Sequence, residues 1–186
     1  MLFLLSQCDR LEQRKLSLQS LSSLVHRLPN EIVTKIFTST CVENNLQCAK
    51  VTPLIIAATC ARWRELAVSC PKLWSCFDIH LRRENYPPQA SARLDIFLQR
   101  SKNHCLTLFI TYYNRLPLDS NNYFLQQLLQ HSDRWQHVTF NVTRFSFENF
   151  PGLRAAVLPR LETVKLTHED INPEDKASTS IRRGCA

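Results

Sequence analysis

Cysteine and histidine are the residues of this chain whose side chains could bind a metal ion or act as nucleophile and base. The chain has eight cysteines and six histidines. No two cysteines form a Cys-x-x-Cys pair, and the clustered Cys/His spacing of a zinc site does not occur. No histidine lies in a recognisable nucleophile motif, and two glycines cannot build a phosphate-binding loop. We therefore predict no metal, no cofactor and no enzymatic activity.

The cysteines also indicate the compartment. They are scattered along the chain, and Cys60 and Cys105 fall within apolar patterns as small hydrophobic residues. This usage favours a reducing environment, cytoplasmic or nuclear. The apolar run at residues 1–5 breaks at Ser6 and is too short to span a bilayer, so no membrane association is expected.

The net charge of +7 comes from 23 basic and 16 acidic residues spread over the chain. Nucleic-acid-binding proteins usually concentrate Lys and Arg on one face, so no nucleic-acid partner is expected. Most of these charges fit a solvated surface. A second interpretation is that arginines of the C-terminal half recognise an acidic or phosphorylated partner segment.

Residues 28–74 contain two predicted helices that could position side chains for binding. Pro29 suits the first turn of a helix, and Glu31 in that turn complements the helix dipole. Apolar residues then recur with helical period on one stripe: Leu28, Ile32, Val33, Ile36 and Phe37. Two short helices cannot bury all of their apolar surface alone. Part of the stripe should therefore meet a following domain or another protein.

The second predicted helix starts at Thr52-Pro53. Its apolar positions are Ile56, Cys60, Trp63 and Ala67. It should end near Cys70, because Pro71 disfavours helical geometry in the residue before it. Between the two helices, Asn44-Asn45 is a loop signal.

This stretch resembles the F-box, on the strength of four groups of residues. They are Leu28-Pro29-x-Glu31, then Ile36-Phe37, then Cys60-x-x-Trp63-Arg64-x-Leu66-Ala67, and finally Leu73-Trp74. The wide spacing between the helices and a lead-in ending in Arg27 are similar to F-box proteins of basidiomycete fungi. The resemblance implies docking on a Skp-family adaptor and, through it, on a cullin scaffold in a ubiquitin ligase.

By this resemblance the N-terminal helix of the motif lies on the adaptor. The candidate partner-binding residues are Leu28, Pro29, Glu31, Ile32, Ile36, Phe37, Cys60, Trp63, Leu66 and Trp74. The alternative for Ile32, Ile36, Phe37 and Trp63 is that they are ordinary core of a helical domain.

After Trp74 three segments share one apolar pattern. They are Cys105-x-x-Leu108-x-Ile110, Trp135-x-x-Val138-x-Phe140 and Leu161-x-x-Val164-x-Leu166. Each predicts a short strand, and Ser91 and Asn121 are candidate caps for helices in between. Strand and helix alternating at this period resemble an irregular leucine-rich repeat. The alternative is a small α/β domain with parallel strands and crossover helices.

The predicted fold class is α+β, a small helical F-box module followed by a short irregular α/β leucine-rich-repeat-like region. The predicted boundaries are a helical lead-in at 1–26, the F-box at 27–79, the repeat-like region at 80–168 and a disordered tail at 169–186. The function implied is a substrate receptor of a Skp–cullin–F-box ubiquitin ligase, with an unknown protein substrate. The alternative is an adaptor-binding scaffold with an incomplete, non-degradative receptor half.

Overall fold

A computed structural model describes residues 7, 9–15, 24–42, 44–81, 87–112, 121–142 and 150–168. The fold mixes helices and strands and contains a small parallel sheet, in agreement with the predicted α+β class. The chain divides into two compact units, Met1–Ile36 and Phe37–Ala186. Each unit is described by itself below.

The first unit is helical where it is described. Helix α1 covers residues 9–15, α2 covers Leu24–Arg27, and α3 covers Asn30–Thr40 and continues into the second unit. The carbonyl of Pro29 accepts hydrogen bonds from the amides of Ile32 and Val33, each at 3.1 Å, so the helix begins directly after the Leu-Pro pair. Residues 16–23 of the predicted lead-in lie outside the described residues.

The second predicted helix is two helices, which corrects the sequence prediction of one. Helix α4 covers Thr52–Thr59 and α5 covers Ala61–Ser69, with Cys60 between them in extended conformation at φ −155° and ψ 168°. The guanidinium Nε of Arg64 donates to the carbonyl of Ala57 at 2.9 Å. This bond satisfies one of the carbonyls that the end of α4 leaves without a helical partner. The predicted stop before Pro71 is confirmed, and a 3-10 turn follows at Pro71–Trp74.

The second unit is built on a four-stranded parallel sheet in sequential order. Its strands are β1 (Cys76–His80), β2 (Leu106–Tyr112), β3 (Trp135–Val142) and β4 (Thr163–His168). Helix α6 (Pro88–Arg100) connects β1 to β2, and helix α7 (Tyr123–Gln130) connects β2 to β3. Short 3-10 turns at Ser132–Arg134 and Leu153–Ala155 precede β3 and β4.

The register of the sheet confirms the alignment of the three sequence segments at their second and third apolar positions, whereas Trp135 pairs with Leu106 rather than Cys105 and Leu161 lies before β4. Leu108 pairs with Val138 and Val138 with Val164, and the same holds for Ile110, Phe140 and Leu166. The sequence pattern missed β1, whose Phe77 and Ile79 complete both rows. These rows lie on the buried side of the sheet in β1 to β3, where Phe97 of α6 packs edge-on against Phe77 and Trp74 at ring distances of 5.6 and 5.2 Å.

Both helix starts differ from the sequence prediction by a few residues. Helix α6 begins at Pro88 rather than after Ser91, since proline fixes the backbone angle that a first turn requires. The cap of α7 is Asn122 rather than Asn121, and its side chain accepts from the amide of Leu125 at 3.1 Å.

The predicted boundary between residues 79 and 80 falls inside β1. The predicted tail at 169–186 lies outside the described residues. Among the described residues, no helix has both the length and the apolar composition needed to span a bilayer.

Candidate interaction surfaces

Helix α3 carries an exposed apolar stripe, which we call the α3 stripe and define as Leu28, Ile32 and Ile36. Ile32 is 43% exposed and Ile36 is 48% exposed, while Leu28 is half-buried. Residues four apart lie on one face of a helix, so Ile32 and Ile36 form a continuous strip. Val33 and Phe37, one position further on, are buried at 2% and 3%. The helix therefore keeps one apolar face in the protein and presents another to solvent.

The remaining predicted partner residues divide between surface and core. Pro29 and Glu31 are exposed, and Cys60, Trp63 and Leu66 are half-buried. Phe37 and Trp74 are buried, and the ring of Phe37 packs edge-on against Trp63 with centroids 5.1 Å apart. The side chains of Phe37 and Trp74 therefore support the fold and do not form part of a surface.

Two tryptophans hold the ends of helices against the strands that follow. The indole Nε1 of Trp74, just before β1, donates to the carbonyl of Ala67 in α5 at 2.7 Å. The indole Nε1 of Trp135, at the start of β3, donates to the carbonyl of Leu128 in α7 at 3.2 Å. In each case the acceptor is a helix carbonyl seven residues before the tryptophan, and a 3-10 turn lies between the helix and the strand that follows. The segment from α5 to β1 therefore has the same local structure as the segment from α7 to β3.

The segment Asn44–Gln47 covers the outer edge of β1. The amide of Asp78 donates to the carbonyl of Asn44 at 2.9 Å, and the amide of Leu46 donates to the carbonyl of Asp78 at 3.2 Å. The side-chain amide of Gln47 adds bonds in both directions with the backbone of His80. Polar residues that predicted a loop therefore close the first edge of the sheet.

One buried side chain fixes this segment in place. Asn44 is 1% exposed, and its Nδ2 donates to the carbonyls of Cys41 at 3.0 Å and Cys76 at 2.9 Å. Arg93 of α6 donates to the carbonyls of Leu46 and Cys48 from the other side.

The face of the sheet opposite the apolar rows carries mainly polar side chains, and we call it the open face. Each strand contributes every second residue, in register across the sheet. Its residues are Cys76, Asp78, His80, Thr107, Phe109, Thr111, His137, Thr139, Asn141, Thr163, Lys165 and Thr167. Hydroxyl, amide, imidazole and charged groups around one phenyl ring suit contact with a protein surface.

Asp78 and His80 form the most polar part of the open face. The imidazole Nε2 of His80 lies 3.2 Å from Oδ2 of Asp78, and the two side chains are 34% and 25% exposed. The same Oδ2 accepts from Nδ2 of Asn45 at 3.5 Å. The other carboxylate oxygen of Asp78 is buried and has no hydrogen-bond partner among the described residues.

The basic residues of the C-terminal half act largely within the chain. Arg134 is 5% exposed, and its guanidinium donates to the carbonyls of Leu98 and His104 and to the hydroxyl of Ser101. Burial lowers the pKa of Arg134. The guanidinium carbon Cζ of Arg100 lies over the ring of Trp74, 4.5 Å from its centroid. The interpretation that these arginines recognise an acidic partner therefore does not apply to Arg134, whose donors already bind the end of α6.

The outer edge of β4 differs from the rest of the sheet. Val164 is 50% exposed and Leu166 is 48% exposed, although their register partners in β3 are buried. Within the described ranges no strand pairs with this edge.

The α3 stripe was predicted from the sequence, whereas the open face and the role of the segment Asn44–Gln47 were not. The polar residues that alternate with the apolar positions of the three segments are a signal that could have located the open face, and the same apolar spacing at Trp74, Phe77 and Ile79 could have located β1. No comparable pattern predicts that Asn44–Gln47 covers a strand edge, because its bonds run to the backbone of a distant strand.

Among the described residues, no group of three or more His, Cys, Asp or Glu side chains could hold a metal ion. No protein-family model, no curated protein and no solved structure matches this chain significantly.

Proposed function

We propose that this protein is the substrate-receptor subunit of a Skp–cullin–F-box ubiquitin ligase. The α3 stripe docks on the Skp-family adaptor, and the open face of the sheet presents a target protein. The ubiquitin-transfer chemistry belongs to the partner subunits.

One observation carries the docking role. On the helix that Leu28-Pro29-x-Glu31 opens, Ile32 and Ile36 remain half exposed while Val33 and Phe37 enter the core. An apolar strip of isoleucines in water is unfavourable in an isolated chain and favourable once a second protein covers it. The F-box resemblance identifies that second protein as the adaptor.

The sheet supports the receptor role. Parallel strands in sequential order, each preceded by a helix or a 3-10 turn, are typical of a leucine-rich-repeat-like array. In such an array one face of the sheet is covered by the connections, and the other is available to bind a protein. The paired construction at Trp74 and Trp135 extends the array to β1, directly after the F-box-like helices.

Co-purification with the adaptor tests the docking role. Ile32→Asp combined with Ile36→Asp should abolish adaptor binding, because burying two carboxylates in an apolar interface costs several kcal/mol, enough to dissociate a micromolar complex. Val157→Asp is the matched control, since Val157 is also apolar and is 71% exposed in the other compact unit. Full adaptor binding by the double variant, or none by the wild-type chain, would reject the proposal.

The exposed Val164 and Leu166 favour one alternative function. A sheet whose last strand stays uncovered fits an incomplete receptor half, and the protein would then be an adaptor-binding scaffold that delivers no target. Quantitative proteomics after gene deletion separates the two functions. A receptor predicts that at least one protein accumulates, whereas a scaffold predicts adaptor binding with unchanged protein abundance.

A further inference from the structure

The apolar side of β4 lacks the cover that its neighbours have. Val138 and Phe140 of β3 are 1% and 4% exposed, while Val164 and Leu166, their register partners, are 50% and 48% exposed. Burying these two side chains as deeply as their neighbours would be favourable. A partner that covered this edge would therefore supply apolar side chains on this side of the sheet.

Among the described residues, none bonds the backbone of β4 along the same edge. In β2 the amide of Thr107 donates to Ser75 and the carbonyl of Thr111 accepts from Leu81, so residues on the open face direct their backbone groups toward the preceding strand. Alternate residues of a strand direct these groups to opposite sides, and the register continues through β3 to β4. The N–H and C=O groups of Val164 and Leu166 therefore point outward.

The opposite edge of the sheet shows that this openness is specific to β4. At β1 the segment Asn44–Gln47 already bonds the outward-facing amide and carbonyl of Asp78. A strand partner can therefore be added at β4 and not at β1.

Lys165 determines the charge of that partner. It lies between Val164 and Leu166 on the open face and is exposed. The nearby Glu162 is engaged with the side-chain amide of Gln136 at 2.7 Å. An added strand should therefore carry an acidic side chain beside Lys165.

The same lysine opposes self-association. If two copies paired β4 with β4 antiparallel, so that Val164 faced Leu166 in both directions, Lys165 would lie opposite Lys165. Like charges directly opposite each other destabilise a strand pair, and an edge lysine is a common device against such pairing.

We propose that the outer edge of β4 binds an extended peptide segment of alternating apolar and acidic residues as a fifth strand. The apolar side chains cover Val164 and Leu166, the acidic ones lie beside Lys165, and the backbone pairs with the outward groups of β4. The inference rests on the proposed function only in identifying this segment as part of a target. The binding itself requires no adaptor.

Amide hydrogen exchange on the full chain tests the proposal, with a blocked seven-residue peptide of alternating valine and glutamate as probe. The amides of Val164 and Leu166 should exchange rapidly without peptide and become protected at saturating peptide. The amide of Lys165 faces β3 and should be protected throughout, which makes it an internal control. The same peptide N-methylated at every residue has no backbone N–H to donate in either strand orientation and should give no protection.

A charge exchange tests the role of Lys165. Lys165→Glu should weaken binding of the valine–glutamate peptide roughly two- to tenfold and strengthen binding of a valine–lysine peptide by a similar factor. Lys72→Glu, at another exposed lysine, should change neither affinity. Equal binding of both peptides by the wild-type chain, or no saturable protection at millimolar peptide, would overturn the proposal.

Two further outcomes would assign the edge to another occupant and also overturn it. Protection of Val164 and Leu166 in the chain alone, independent of concentration, would mean that other residues of the same chain cover the edge. Protection that grows with protein concentration would indicate a second copy. Adaptor binding is measured on Lys165→Glu as well. If the variant binds the adaptor normally, a loss of peptide binding concerns the β4 edge alone and leaves the proposed docking role intact.

Discussion

The indole Nε1 of Trp74 donates a hydrogen bond of 2.7 Å to the carbonyl of Ala67, seven residues earlier in the chain. Both residues are fully buried. The bond satisfies a carbonyl near the end of α5 and fixes that helix against the start of β1. The side chain of Trp74 therefore joins the end of α5 to the start of the sheet.

Trp74→Phe should lower the free energy of unfolding by about 1–3 kcal/mol, because it removes one of the two donors to the buried carbonyl of Ala67, the other being the amide of Cys70, and also removes ring area from the core. Chemical denaturation measures this change. Trp63→Phe is the matched control, since the buried indole Nε1 of Trp63 has no hydrogen-bond partner among the described residues. It should cost less than half as much, and equal losses would contradict the role of the Trp74 bond.

Asn44→Ala should destabilise the protein by about 1–3 kcal/mol, because the carbonyls of Cys41 and Cys76 both lose their donor in a buried environment. The Asp78 amide should also exchange faster in this variant, because it donates a hydrogen bond to the backbone carbonyl of residue 44. Asn103→Ala, at an exposed asparagine, should stay within about 0.5 kcal/mol of the wild-type value. An unchanged exchange rate of the Asp78 amide in Asn44→Ala would show that the Asn44 side chain does not hold the segment Asn44–Gln47 against β1.

Arg134→Met should lower the free energy of unfolding by about 2–4 kcal/mol. The substitution keeps an apolar side chain of similar reach but removes the guanidinium bonds to the carbonyls of Leu98 and His104 and to the hydroxyl of Ser101, of which the Leu98 carbonyl still accepts from Ser101. Arg160→Met removes a single exposed bond of 3.2 Å to the carbonyl of Asn103 and should cost less than about 1 kcal/mol. Thermal unfolding of the two variants side by side checks the difference, and similar losses would argue against a structural role for Arg134.

Stability should fall as the pH is lowered through about 6.5, the ordinary pKa of histidine, in part because of His131. Burial, reinforced by the nearby Arg134, lowers the pKa of His131 in the folded protein, although Asp133 acts in the opposite direction. The unfolded chain therefore binds a proton there at a higher pH than the folded chain, which favours unfolding in acid.

Free energies of unfolding at pH 7.5 and pH 5.5 check this effect. His131→Gln cannot take up the proton and should lose less stability between the two pH values than the wild-type protein. An identical pH dependence in His131→Gln would rule out the contribution of this residue.

The sheet could be predicted where the sequence repeats its apolar spacing. Leu108, Val138 and Val164 align in the sequence and pair in the structure, because the side chains of a buried row must all be apolar at the same strand position. β1 was missed although Phe77 and Ile79 have this spacing, since Trp74 had been assigned to the end of the helical motif.

Features that depend on distant backbone groups could not be predicted. No local pattern marks the break at Cys60, which is stabilised by the bond from Arg64 to Ala57. The apolar period of α3 predicted one stripe, but only packing divides it into the buried Val33 and Phe37 and the exposed Ile32 and Ile36. Adaptor binding and target presentation stay predictions until the experiments above are made.

The bonds from Asn44–Gln47 to β1 limit where the chain can be divided into fragments for expression. A fragment that ends after residue 79 would keep the closing segment but lose most of the strands behind it, and one that begins at residue 80 would start without its first strand. Expression of either piece should give poorly soluble material. The helical motif at residues 27–79 is thus shorter than the smallest fragment that we expect to fold independently.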